Sequence, residues 1–335
     1  MFRQLLLPSS IRTSWSHKQQ RVVAAQLNFS SSTSDDEQPP EDSSTIIQGP
    51  SLLTMTGVHR PSPSLFYLPG LRSLPFWTAP ESDGKHSSQN RQHRIAFNDS
   101  TVTAAVEFVE SNYESIRAEY FSSVLGQGIE TDPHNNNVQK PLEPDYDVAS
   151  KGGEHADDAL HSGAWDWHSY ILNGEKNERF KERCPKTAAV IDELDRQGML
   201  FRTPFSFCFF STLHGNSSIQ AHSGPMNLRL RMHLPLVVPS DDLLSSTDGK
   251  EQTNHRATGI KVADQERQWK EGKAVVLDDS YVHEVWNDNE SARVLLLLDL
   301  WHPDVRREER EKIEAMFVYA KEKGWIGNNR PNNNN

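Results

Sequence analysis

Apolar positions recur along this chain in two rhythms. Over residues 101–121, "TVTAAVEFVESNYESIRAEYF", Ala105, Phe108, Val109, Tyr113 and Ile116 return at helical spacing. That spacing predicts one helix, with Asn98, Asp99 or Ser100 as its N-cap. Residues 184–198 predict a second helix, opened by Pro185 and closed by Gly198. Residues 303–324 predict a third, with Ile313, Met316, Phe317 and Ala320 on one face and Gly324 as its stop. Between the second and third the rhythm changes. Residues 205–213, 227–238, 273–279 and 293–301 read as strands. In "LRLRMHLPLV" the residues Leu228, Leu230, Met232, Leu234 and Leu236 share one face, while Arg229, Arg231 and His233 share the other. Taken by itself, that basic face reads as a solvated strand surface. Helices first, then short strands, then a helix predict a mainly β fold. The expected architecture is an antiparallel sandwich or jelly roll backed by helices, not a βαβ sheet.

Composition sets the boundaries of that fold. Of 335 residues only 35% are hydrophobic, which is low for a chain folded throughout. A compact domain is expected over 63–325, beginning near the aromatic and Leu-rich "SLFYLPGLRSLPFW". Residues 127–162 and 240–257 read as long polar loops, and 326–335 as an Asn-rich disordered tail. Residues 1–34 lack Asp and Glu but carry Arg3, Arg12, Lys18, Arg21, many serines and an apolar cluster near Leu5–Leu7. This is the pattern of an organelle transit peptide, with a mitochondrion as the expected destination and plastid or cytoplasm as alternatives. Acidic residues begin at Asp35, and 35–62 reads as a disordered linker.

Charge and cysteine content remove several function classes. A formal charge of −11 argues against nucleic acid as the partner, since phosphate binding needs a basic surface. No run of 18 apolar residues exists, so no transmembrane anchor is expected. Two cysteines, Cys184 and Cys208, exclude a disulfide framework and a four-thiolate zinc site, and read as ordinary thiols. Neither a GxGxxG nor a GxxxxGK[ST] loop is present.

Candidate chemistry lies in an ordered set of residues. His222 precedes one predicted strand, His283 follows another, and Arg293 opens the last. Two histidines at strand ends converge in a jelly roll, where imidazole suits Fe(II). A 2-oxoglutarate co-substrate further needs one cation for its distal carboxylate, and Arg offers a planar two-pronged donor.

The strings "HSGPMNLRLRMHL" (222–234) and "DDSYVHEVW" (278–286) are specific. With "SLFYLPGLRSLPFWTAPE", "NGEKNERFKERCPKT" and "RVLLLLDLWHP", in the same order, they resemble the aspartyl/asparaginyl β-hydroxylase family over residues 64 to 305. The resemblance implies a double-stranded β-helix that uses Fe(II), O2 and 2-oxoglutarate to hydroxylate a C–H bond, at the β-carbon of Asp or Asn in a polypeptide. It implies His222 and His283 as iron ligands, and Ser211 and Arg293 at the distal carboxylate of 2-oxoglutarate. Arg231 and His233 would stand near its other end, facing the metal cavity. Where most such oxygenases carry a third, carboxylate ligand, residue 224 is Gly. Asp279 matches a nearby acid placed to hold an iron-bound water. Three alternatives stay open: a hydroxylase of a small molecule, a halogenase using room left at Gly224, and a non-catalytic jelly-roll binding module.

Overall fold

The computed structural model describes residues 66–79, 99–127, 140–147, 160–239 and 258–324. Residues 1–34, 35–62 and 326–335, the loop expected at 240–257 and most of the one expected at 127–162 lie outside the described residues.

Helices come first. α1 (Ser100–Ser111) is capped by Asp99, whose carboxylate accepts from the Thr101 and Val102 amides. The single helix expected over 101–121 is interrupted: α2 (Tyr113–Glu119) follows, then a π-helical turn at Tyr120–Val124. The break sits at Asn112, whose side-chain amide donates to the Phe108 carbonyl at 2.8 Å. Asn side chains compete for backbone groups in this way, which weakens helix continuity. After the short strands β1 (Tyr146–Asp147) and β2 (His161–Ser162) comes β3 (Trp165–Leu172), then β4 (Glu175–Lys176). α3 (Glu178–Arg183) and α4 (Pro185–Arg196) follow, with Pro185 in the first turn of α4 and Gly198 at φ +70° beyond its end, as the sequence predicts.

The remaining strands are β5 (Cys208–Leu213), β6 (Ser217–His222), β7 (Arg229–Val237), β8 (Thr258–Val262), β9 (Gln265–Arg267), β10 (Val275–Leu277), β11 (His283–Asn287) and β12 (Arg293–Trp301). α5 (Arg307–Glu322) closes the fold. Every strand pair is antiparallel. A larger sheet runs β1-β3-β5-β12-β7-β10 with β4 on β3, and a smaller one runs β2-β6-β11-β8-β9. This is the expected mainly β double-stranded β-helix with supporting helices.

Strand alternation divides each strand of the larger sheet between two environments. Leu230, Met232, Leu234 and Leu236 of β7 pack with Cys208 and Phe210 of β5 against residues of α1, α2 and α4, such as Val109, Ile116 and Ile191. The opposite faces look inward. There Trp165, Leu213 and Leu295 meet Ile219, Ile260, Val262 and Val285 of the smaller sheet. A third cluster seats Phe317 and Ile313 of α5 against Leu228 and Trp301. Both cysteines are buried and unbridged, and burial raises the Cys184 thiol to about 12. Among the described residues no helix is long and apolar enough to cross a membrane.

Candidate active site

Strand pairing brings the two histidines together. His222 ends β6, His283 begins β11, and the two are directly opposed in the β6–β11 register. Their ring centroids lie 4.1 Å apart. Each ring is oriented by its own backbone: His222 Nδ1 meets the Gln220 carbonyl at 2.7 Å, and His283 Nδ1 meets the Tyr281 carbonyl at 2.9 Å. A carbonyl only accepts, so each Nδ1 carries the hydrogen and, in the neutral ring, each Nε2 keeps a lone pair. Burial lowers both rings' proton affinity, taking His283 to about 4. Two neutral imidazoles presenting Nε2 suit a divalent transition metal. Among the described residues no group of three or more His, Cys, Asp or Glu is placed to hold one. The histidine pair is therefore the candidate ligand set among the described residues.

Gly224 and Asp279 explain the missing third ligand. The Gly224 amide donates to the Asp279 carbonyl at 2.6 Å. A Cβ on residue 224 would meet Asp279 Oδ2 at 2.5 Å, Cγ at 2.6 Å and Oδ1 at 2.8 Å. The space opened by the glycine is therefore filled by the Asp279 carboxylate. The room for a halide expected at Gly224 is not there. Asp279 is fully buried, with Oδ1 unpartnered and Oδ2 accepting from Arg229 at 2.7 Å. Burial opposes its charge, but Arg229 and Arg231 outweigh that and hold the carboxyl well below the usual range.

The basic face of β7 is not solvated, contrary to its reading in isolation. Arg229 is 1% exposed and bridges two acids, Asp279 and Asp299, at 2.7 Å each. Arg231, the neighbour facing the same way, donates through Nε to Asp299 at 2.9 Å, and its Nη1 lies 3.4 Å from Asp279. His233 is buried with Nδ1 unpartnered. Burial, then the charges of Arg293 and Arg231, hold it well below its ordinary range.

Arg293 is different from the other two arginines. It is 2% exposed and has no acid partner among the described residues. Its Nη1 reaches Ser211 Oγ at 3.5 Å and its Nε is unpartnered. Burial alone lowers it to about 9. The guanidinium lies 4.9 Å from the centre of the Trp269 ring, and that ring stands 6.0 Å from His233. Trp269 Nε1 is likewise buried without a partner. Ser211 Oγ accepts from Trp165 Nε1 at 2.9 Å, which leaves its hydroxyl hydrogen to donate elsewhere. An unneutralised buried cation ringed by unused donors is a receptor for an anion.

All seven residues singled out in the sequence thus gather in one interior: His222, His283, Asp279, Ser211, Arg231, His233 and Arg293. Arg229, Asp299, Trp165 and Trp269 join them unforeseen. Asp299 carried a usable signal, being the one acid inside the apolar run "VLLLLDLW".

Comparison with known proteins gives the chain its relatives. The mouse (Mus musculus) aspartyl/asparaginyl beta-hydroxylase is 28% identical over 255 residues, covering 76% of this chain and 26% of that protein. Aspartate beta-hydroxylase domain-containing protein 2 of Xenopus tropicalis is 23% identical over 266 residues, covering 78% and 56%. An ornithine lipid ester-linked acyl 2-hydroxylase of Rhizobium tropici is 32% identical over 140 residues, covering 41% and 42%. The chain thus spans about a quarter of the mouse protein's length and about half of the other two. The family model described as aspartyl/asparaginyl beta-hydroxylase matches residues 110–303, more than half of the chain and all of the site, and the chain belongs to that family.

Proposed function

We propose that this protein is an Fe(II)- and 2-oxoglutarate-dependent dioxygenase that hydroxylates the β-carbon of an Asp or Asn residue in a polypeptide. One observation carries the reading: two backbone-oriented imidazoles lie in the same interior as a buried arginine that lacks a counter-ion. His222 and His283 would hold the iron through Nε2. Arg293 and Ser211 would hold the distal carboxylate of 2-oxoglutarate, and Arg231 and His233 would face its other end. Asp279, anchored by Arg229, would accept a hydrogen bond from a water at the position that a third ligand takes elsewhere. Bound there, Fe(II) would supply the chemistry that pairs the oxidation of 2-oxoglutarate by O2, to succinate and CO2, with insertion of the second oxygen atom into the substrate C–H bond. Trp165, Trp269 and Leu295 form a buried apolar wall of that interior.

The relatives' names and the residue pattern support an oxygenase over a binding module. The acyl hydroxylase among the relatives keeps a small-molecule substrate as the second reading. Succinate formation from 2-oxoglutarate with added Fe(II), in wild type and His222→Ala, tests the proposal. Turnover and Mn(II) binding should both be lost in a folded His222→Ala protein. Near-normal turnover in that variant would remove the assignment. For localisation, the acid-free leader supports mitochondrial import. Fusing residues 1–34 to a fluorescent protein tests this, and a diffuse cytosolic signal would refute it.

A further inference from the structure

Beside the co-substrate site lies an aromatic surface that the chemistry above does not use. Trp167 is stacked on Phe209, with centroids 4.4 Å apart and planes 18° from parallel. Phe207 stands edge-on to both, at 6.1 Å from Trp167 and 6.5 Å from Phe209. Trp165 stands edge-on to Trp167 at 5.0 Å. Alternation fixes which way these rings face. Cys208 and Phe210 go into the core under the helices, so Phe209 and Ser211 take the inward side of β5. Trp167 lies opposite Ser211 in the β3–β5 register. The rings are therefore continuous with the site that Ser211 and Trp165 build. Trp167 and Phe207 are half-buried, so part of this surface is open.

Charge decides what suits it. Arg229 lies 5.9 Å from the Phe207 ring centre, and Arg231 is its neighbour along β7. Both are committed to Asp279 and Asp299, so two cations face two carboxylates. Among the described residues the two cations beside Phe207 are thus already paired, and the unpaired Arg293 is reserved for the co-substrate carboxylate in the reading above, so none is left to receive an acidic side chain. Aromatic faces are themselves electron-rich and repel carboxylates. A basic side chain meets a face of Phe207 already taken by Arg229, and one face of Trp167 already taken by Phe209.

We infer that Trp167 and Phe207, backed by the buried Phe209, form a platform for a neutral apolar side chain of the polypeptide substrate, flanking the residue that reacts. The enzyme then selects Asp or Asn targets with aliphatic or aromatic neighbours over those with acidic or basic ones. This rests on the dioxygenase reading above.

The test uses synthetic peptides with a central Asn and flanking positions set to Leu and Phe, to Glu, or to Lys. Two readouts are taken with full-length wild type, Trp167→Ala and Phe207→Ala. One is hydroxylation with Fe(II) and 2-oxoglutarate. The other is fluorescence anisotropy of labelled peptides on Mn(II)-loaded protein, which needs no turnover. Apolar-flanked peptides should bind and react about tenfold better than Glu-flanked ones, the scale of one aromatic contact. Trp167→Ala or Phe207→Ala should erase that preference while peptide-free 2-oxoglutarate turnover stays at the wild-type level. A preference for Glu or Lys flanks would overturn the inference, as would an apolar preference that survives both substitutions. Hydroxylation of a fatty acyl amide in place of every peptide would overturn it as well. Absence of 2-oxoglutarate turnover alongside the expected binding preference would instead sink the dioxygenase reading and leave the platform standing.

Discussion

Gly224→Ala should be among the most damaging single-methyl additions to this protein. The new Cβ would arrive 2.5–2.8 Å from three atoms of the Asp279 carboxylate, where real contacts stay beyond 3.0 Å. Neither side yields easily. The Gly224 amide is bonded to the Asp279 carbonyl at 2.6 Å, which ties the two backbones together. The carboxylate is fully buried and held by Arg229 at 2.7 Å. If the core absorbs the methyl as overpacking, the cost is about 1–3 kcal/mol. If the carboxylate leaves Arg229, breaking a buried pair costs about 3–5 kcal/mol. We expect about 3 kcal/mol, a large share of the roughly 5–15 kcal/mol that holds a domain together. Urea denaturation of the metal-free protein measures it. The cycle with Asp279→Ala isolates the cause, because removing the carboxylate gives the methyl room. On that background Gly224→Ala should cost less than about 0.5 kcal/mol, the size of an ordinary surface change. Additive costs, or a single substitution with no measurable effect, would refute the packing argument. Gly224→Asp should fail for the same reason, rather than supply a third ligand.

Asp278 is fully buried beside Asp279, and burial pushes its carboxyl up to about 7, against donation from Ser280. The folded chain keeps this proton where the unfolded chain has lost it near pH 4. Its contribution to stability is therefore present in acid and falls as pH rises from about 4 to 7, by up to about 1.4 kcal/mol per unit. Asp278→Asn should remove that fall and gain stability at pH 8 but not at pH 4, as read from urea curves at both values. His302 has the opposite sign. Burial lowers it to about 4, with Nε2 on the Arg72 carbonyl and Nδ1 accepting from the Asp304 amide. Its contribution is present above about pH 6.5 and is lost as pH falls toward 4, so His302→Gln should flatten the acid limb of the stability profile. Trp269→Leu removes the ring beside Arg293 and should weaken 2-oxoglutarate binding about tenfold or somewhat more, whereas Trp269→Phe should keep most of it. Calorimetry on the Mn(II)-loaded protein reads this, and equal affinities in the two variants would show that the ring face is idle.

Much of this architecture was legible in the sequence where one face of an element meets water or a flat core. The alternation of β7 and the spacing in α5 gave both element and apolar face, while the apolar runs of β5 and β12, buried on both faces, gave the element alone. β3 is not among the predicted strands: in "WDWHSYIL" Asp166 and His168 alternate with Trp165 and Trp167, but the alternation breaks down after Ser169, where the register also shifts. Trp165 and Trp167 line the interior, while Tyr170 packs under the helices. β6 and β11 are short and carry the polar residues the site needs. The histidines and Arg293 were found through their order and motif. Arg229 was not, because its partners stand 50 and 70 residues away and local pattern says only that a basic face prefers water. Trp269 gave no signal, since its role rests on an arginine from another strand.

With the metal held as proposed, the opposed placement of His222 and His283 across β6 and β11 would make metal affinity a proofreader of strand pairing. A one-residue slip between these strands would turn one imidazole to the outer surface and leave a single ligand behind. Only the correctly paired chain would present both Nε2 atoms, so free metal would add its binding energy to that pairing and to no shifted one. The site would then act on the chain before it acts on any substrate, as a template that rewards the right register during assembly. Cells that keep this protein supplied with iron would also be selecting its native sheet.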